Sequence, residues 1–121
     1  MTDVLTRMEQ LAKMLKASRF LFNDEAGLQR CIEERFHRSL VLYQREARLS
    51  AAERVDFLVD GDIAVEVKIK GAFVSVAEQL QRYAAISTVA GVLLVTTRRH
   101  LLAMPETFHD NPVRAVLLQV A

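Results

Sequence analysis

The segment from Arg54 to Lys70 alternates apolar and polar side chains in two runs, and Asp60-Gly61-Asp62 separates the runs. Because side chains of a β-strand alternate between its two faces, each run is predicted to be a strand with one apolar face. Burying both apolar faces together determines the register between the strands, since a slip of one residue turns one set outward. The two sets are Val55, Phe57 and Val59, and Ile63, Val65, Val67 and Ile69.

The turn of this hairpin decides which polar side chains meet. A two-residue turn at Asp60-Gly61 sets Asp56 opposite Val65, on the wrong face. A three-residue or bulged turn sets Asp56 beside Glu66, so we expect Gly61 to adopt a left-handed conformation in such a turn.

Asp56 and Glu66, as cross-strand neighbours, can share one hard divalent cation, for which we predict Mg²⁺ or Mn²⁺. Lys68 lies on the same face, where its ammonium group can orient a nucleophile or stabilise developing charge. The alternative is that all three residues form the solvated face of an amphipathic hairpin, with Lys68 paired to Glu66. Both carboxylates interrupt strongly apolar strands, however, where an unpaired carboxylate is unfavourable.

Two helices are predicted before the hairpin. Residues 3–18 form an amphipathic helix with Thr2 or Asp3 as its N-cap, and it packs either on its own domain or on a second copy in a homodimer. A second helix follows Asn23 or Asp24 and runs to about Ser39. Its first turn carries Glu25 on the inward stripe, and a favourable interaction with the helix dipole is the alternative role of this residue.

A strand at 41–49 is predicted before the hairpin, and a helix at 76–86 after it. The apolar run at 92–95 is typical of a buried parallel strand, and a closing strand at 114–120 follows the turn at Asn111-Pro112. The order is therefore ααβββαββ. It predicts an α/β (α+β) fold in which helices flank a mixed β-sheet. The length, 121 residues, predicts a single domain over 1–121.

Composition excludes several classes of function. Lysine and arginine total 16 against 15 acidic residues, so only the distribution of charge can favour a polyanion. The single Cys31 excludes an intrachain disulfide and favours a cytoplasmic protein, and no leader or membrane-spanning run is apparent. The histidine spacing argues against zinc, and the lack of a Gly-rich loop argues against nucleoside triphosphate hydrolysis.

Asp56, a turn, Glu66-Val67-Lys68 and a following helix with Gln79 and Tyr83 together resemble the PD-(D/E)XK nuclease superfamily. The segment from Gln79 to Tyr83 is similar to the Gln-x-x-x-Tyr motif of RecB-like nucleases. The resemblance covers residues 25–96. Val55 stands in place of the proline that gives the motif its name, at a position that does no chemistry.

The resemblance implies a restriction endonuclease-like fold and a Mg²⁺-dependent nuclease that hydrolyses DNA phosphodiester bonds with metal-activated water. It implies that Asp56, Glu66 and the backbone carbonyl of Val67 bind the metal and that Lys68 is the catalytic lysine. Glu25 matches an acidic residue on the family's first helix, and it is a further candidate metal ligand.

Gln79 and Tyr83 share a helix face, from which they can contact a phosphate or order the site, although Tyr83 can equally pack in the core. Four further residues are candidate contacts to DNA phosphates or members of a solvated basic surface: Arg82, Arg98, Arg99 and His100. Two alternatives to a nuclease remain. One is a catalytically inactive nuclease-fold module that binds DNA or a protein, and the other is an interaction module that self-assembles through its first helix.

Overall fold

Six strands form one mixed sheet in the computed structural model, which describes residues 3–119. The helices of this part of the chain are α1 (Val4–Lys16), α2 (Glu25–Arg38) and α3 (Phe73–Ala84), with a 3-10 helix at Arg99–Ala103. The strands are β1 (Tyr43–Arg48), β2 (Arg54–Val59), β3 (Ile63–Lys68), β4 (Gly91–Thr96), β5 (Thr107–Phe108) and β6 (Asn111–Leu117). Their order across the sheet is β1-β2-β3-β4-β6-β5.

The predicted α/β fold with a mixed sheet flanked by helices is confirmed. Strands β1, β2 and β3 are antiparallel neighbours, whereas β3, β4 and β6 run parallel to one another. α1 and α2 pack on one face of the sheet and α3 on the other. The central strand β4 is buried throughout, as its unbroken apolar sequence predicts.

The end of the chain differs from the prediction. β5 is an additional element, and it is too short to leave a periodic signal in the sequence. β6 begins at Asn111 because the turn lies at His109 and Asp110, which both have positive φ angles. The predicted last strand residue, Val120, and the alternative N-cap, Thr2, lie outside the described residues.

The apolar stripe of α1 packs within its own domain. Met8, Leu11 and Leu15 are buried against the sheet, and Asp3 caps the helix by accepting from Thr6 N–H at 2.7 Å. Burial of side chains of this size contributes about 1.5–3 kcal/mol each. The helix ends at Lys16, two residues before the predicted end at residue 18. The sheet covers its apolar stripe. A homodimer stays a prediction, but this stripe cannot be its contact surface.

The hairpin turn has the predicted form. Val59 pairs with Ile63, so residues 60–62 make a three-residue loop, and Gly61 is left-handed with φ 76°. Arg7 of α1 donates two hydrogen bonds of 2.8 Å to the carboxylate of Asp62, which anchors the turn to the helix. Among residues 3–119, no helix combines the length and apolar character needed to cross a membrane.

The left-handed residues allow a paired stability test. Replacing Gly61 with Ala is expected to lower the free energy of unfolding by about 1–2 kcal/mol, purely through the backbone, because no atom lies within 4 Å of the added Cβ. Replacing Leu40 with Gly is expected to raise it by about 0.5–1 kcal/mol, since Leu40 has φ 57°, is 88% exposed and directly follows the C-cap of α2. Urea denaturation measures both changes, and changes of the same sign would contradict this account of the two backbone positions.

Candidate active site

The backbone ladder between β2 and β3 gives way to side-chain hydrogen bonds at Asp56 and Glu66. The regular register runs from Val59–Ile63 to Phe57–Val65. Beyond it, Asp56 N–H donates to Glu66 Oε1 at 3.2 Å and Val67 N–H donates to Asp56 Oδ2 at 2.8 Å. The structure thus brings the two carboxylates together, as the register predicts, and inserts them where the strands part.

β1 contributes to this parting. Glu46 is left-handed with φ 49°, and the Glu46–Asp56 pair is missing from the otherwise continuous register of β1 and β2. The prediction that Val55 shares a face with Phe57 and Val59 is wrong, because Val55 packs in the cluster under α3. The left-handed Glu46 twists β1 locally. At this twist the Asp56 N–H points toward the Glu66 carboxylate.

Glu66 is buried, with only 4% of its surface exposed. The interpretation of the polar set as a solvated face therefore fails for this residue. Burial raises the pKa of Glu66 to about 7, and the charge of Asp56 adds to the rise. Lys68 opposes it, with Nζ at 3.5 Å from Glu66 Oε2, so the ion pair of the alternative interpretation is nevertheless present.

Asp56 is half-buried, and its pKa is raised above the ordinary value by burial. The hydrogen bond from Val67 N–H opposes this rise, whereas the negative charge of Glu25 adds to it. Lys68 and Arg45 are the cations that lower the pKa. Like charge therefore raises the pKa of both Asp56 and Glu66, and a bound cation would favour their charged forms.

Glu25 lies in the first turn of α2, after the N-cap Asp24. Its Oε1 accepts a hydrogen bond from Ile69 N–H at 3.2 Å, which joins the start of α2 to the end of β3. Within residues 3–119, no three His, Cys, Asp or Glu side chains converge closely enough to hold a metal ion. The role of Glu25 as a metal ligand stays a prediction.

The α3 residues Gln79 and Tyr83 form a hydrogen-bonded unit behind Glu66. Gln79 Nε2 donates to the Tyr83 hydroxyl at 2.8 Å, and that hydroxyl lies 2.9 Å from the Arg54 carbonyl and 3.3 Å from Glu66 Oε1. Burial raises the pKa of Tyr83, and the charge of Glu66 raises it further, so the phenol stays protonated. Tyr83 is thus both a core residue and a hydrogen-bond donor beside Glu66.

The four predicted DNA contacts occupy different surroundings. Arg82 forms an ion pair with Glu53 at 2.7 Å. Arg98 Nε donates to the Ile69 carbonyl at 2.7 Å, and a ring nitrogen of His100 lies 2.8 Å from the Gly71 carbonyl. These two side chains, together with exposed Arg99, follow β4. Because β3 and β4 are parallel, they lie at the same sheet edge as Lys68.

Arg45 is a site neighbour that the sequence prediction missed. Its guanidinium lies over the Phe57 ring at 5.2 Å and donates to Glu33 at 2.9 Å and to Gln29 at 2.7 Å. The alternation of β1 predicts only that Arg45 is half-exposed. Its proximity to Asp56 depends on how α2 packs against β1, which leaves no local signal in the sequence.

Asp56 and Glu66 supply the number of carboxylates that a magnesium ion usually takes from a protein. Mg²⁺ is usually held by one or two carboxylates, with water and substrate phosphate completing its octahedron. Asp56 and Glu66 are two such carboxylates, and a divalent cation would offset the cost of burying like charges side by side. The carbonyl of Val67 follows Glu66 directly and stays a predicted third ligand.

Comparison with models of known protein families, with curated protein sequences and with solved structures finds no match for this chain. The resemblance to PD-(D/E)XK nucleases therefore depends only on the residues and the geometry described above.

The raised pKa of Glu66 predicts how stability changes with pH when metal is removed by EDTA. A carboxyl group whose pKa is higher in the folded state binds more protons when folded, so the free energy of unfolding falls as pH rises from about 4.5 to 7. The loss is expected to reach up to about 3 kcal/mol. Glu66→Gln should remove most of this fall, whereas the exposed-site control Glu9→Gln should keep it. Equal pH profiles for wild type and Glu66→Gln, measured by urea denaturation, would contradict the assignment.

Proposed function

We propose that this protein is a Mg²⁺-dependent nuclease of the PD-(D/E)XK type that hydrolyses DNA phosphodiester bonds. The observation that carries the proposal is the pairing of half-buried Asp56 with buried Glu66 at the split between β2 and β3, with the ammonium of Lys68 at 3.5 Å from Glu66. Two carboxylates and a lysine at one strand end suit phosphodiester hydrolysis better than they suit a structural role, because burying them is costly.

Each residue of the site has a separate role in the proposed hydrolysis. Asp56 and Glu66 would hold the cation, which supplies Lewis acidity toward water and phosphate when it is bound. Lys68 stabilises the negative charge that develops on the phosphoryl oxygens. Tyr83, hydrogen-bonded by Gln79, orients Glu66. Water attacks phosphorus in line, and the bond to the 3′ oxygen breaks.

The distribution of charge supports a nucleic-acid substrate. Lys70, Arg98 and Arg99 are exposed residues that follow the carboxyl ends of β3 and β4, at the sheet edge that carries the site. Asp60, Asp62 and Asp110 lie at the opposite edge, before β3 and β6. A protein with net charge +1 thus presents cations where a phosphodiester backbone would approach.

A second candidate function is a catalytically inactive module that binds DNA or a protein. The observation that favours it is the number of hydrogen bonds already made by the carboxylates. Glu66 accepts from Asp56 N–H and lies beside Lys68, and Asp56 accepts from Val67 N–H. These bonds give the pair a structural role even when no metal is present.

Cleavage assays separate the two functions. Wild type is expected to cut single-stranded, duplex or branched DNA with Mg²⁺ or Mn²⁺ but not with EDTA. Asp56→Ala and Lys68→Ala should each lower kcat by about 100-fold or more, since each removes a group that contacts the metal or the reacting phosphate. Lys13→Ala removes an exposed charge on α1 and should cut like wild type. Full cleavage by both site variants would end the assignment, and DNA binding without cleavage by wild type would favour the inactive module.

Tyr83→Phe tests the positioning role. Loss of the hydroxyl removes a hydrogen bond that lowers the pKa of Glu66, so the acid limb of the pH–rate profile should move to higher pH and kcat should fall about tenfold. Tyr43→Phe is the matched control, because its hydroxyl bonds Glu33 instead. If Tyr83→Phe lowers activity without moving the acid limb, the hydroxyl does not act through the pKa of Glu66.

A further inference from the structure

A surface cavity of about 350 Å³ lies between the end of α1 and the ends of β4 and β6. The end of α1, the 3-10 helix and the end of β6 supply its lining. The polar rim is formed by Lys16, Arg99 and Gln119, and the apolar floor by Leu102, Ala115, Leu117 and Leu118.

The lining has the chemistry of a nucleotide site. Lys16 and Arg99 are exposed cations that form no salt bridge with a described carboxylate, and no acidic residue among 3–119 lines the cavity. Except for buried Leu118, the floor side chains are only partly buried, so aliphatic surface is open beneath the two charges. A phosphate suits the rim, and the apolar face of a sugar or base suits the floor. The volume is at the small end of the range for ligand pockets.

The cavity lies at the same edge of the sheet as the candidate active site. β3, β4 and β6 are parallel neighbours, so their carboxyl ends follow one another in the order Lys68, Thr96 and Leu117. Two strand spacings, about 10 Å, separate the first from the last. Arg98 lies between the two sites, and its Nε is held by the Ile69 carbonyl at 2.7 Å. That bond uses Nε alone, and neither Nη group donates to another of the described residues, so both can donate to a phosphate.

We propose that this cavity is a nucleotide-binding subsite that holds the substrate strand on the β6 side of the scissile phosphate. The substrate class follows from the proposed nuclease function. A strand bound at Asp56 and Glu66 passes Arg98 and places a further phosphate between Lys16 and Arg99, with its nucleoside against Leu102. Binding in the subsite needs no metal, so it can be measured apart from cleavage.

The test is fluorescence anisotropy with a labelled single-stranded oligonucleotide of about a dozen nucleotides, titrated in EDTA at several salt concentrations. Lys16→Gln and Arg99→Gln should each weaken binding by about 3- to 10-fold and reduce the slope of log K against log salt by about 0.7, the value for one phosphate contact to a single strand. Leu102→Ala should weaken binding with an unchanged slope, because it removes apolar contact and no charge.

Lys13→Gln is the matched control, since it removes a lysine from the same helix that does not line the cavity. If Lys16→Gln and Arg99→Gln bind like Lys13→Gln while wild type cuts DNA, the subsite is wrong and the nuclease proposal stands. If wild type cuts nothing but the two variants show the expected losses, the subsite stands and the nuclease proposal fails. A Leu102→Ala variant that binds like wild type would overturn the apolar floor.

Discussion

The exchange of hydrogen bonds between Asp56 and the Glu66-Val67 segment is the interaction on which the candidate site depends. A backbone ladder leaves no room for side chains between paired strands, and here two carboxylates replace it. The exchange satisfies the backbone groups that the parting strands would otherwise leave unpaired. It also brings the two carboxylates together without a loop, on two of the most buried strands of the sheet, where their positions are well determined.

The arrangement costs free energy in the absence of a cation. Glu66 is buried beside Asp56, and burial together with like charge raises the pKa of both carboxyl groups. Lys68 and the Tyr83 hydroxyl offset only part of this cost. A fold that needed only stability would place apolar side chains here, since well-packed hydrophobic residues are often as good as buried charges or better. This excess of buried negative charge is the physical reason to prefer a metal site over a purely structural network.

The parallel strands organise the surface around the site. Because β3, β4 and β6 end at one edge, short segments that are distant in the chain contribute basic residues to a common surface. Glu25, Arg98 and His100 anchor the segment after β3 through hydrogen bonds to its backbone. The opposite edge collects aspartates around the hairpin turn, where Asp60 and Asp62 bind Arg7. The near-neutral net charge therefore conceals an uneven distribution of exposed charge, which is what the proposed polyanionic substrate would need.

The sequence alone predicts the order of the main elements, the hairpin register, the left-handed Gly61 and the meeting of Asp56 with Glu66. Burying both apolar faces excludes a slip of one residue between the strands, and a three-residue turn then sets Asp56 beside Glu66. Tertiary structure decided what periodicity cannot encode. The left-handed Glu46 and the change of face at Val55 depend on how β1 and β2 bend around the site. The approach of Arg45 to Asp56 depends on the packing of α2, and the cavity between Lys16 and Arg99 depends on the neighbouring ends of α1, β4 and β6. These features join residues far apart in the chain, so no local pattern specifies them.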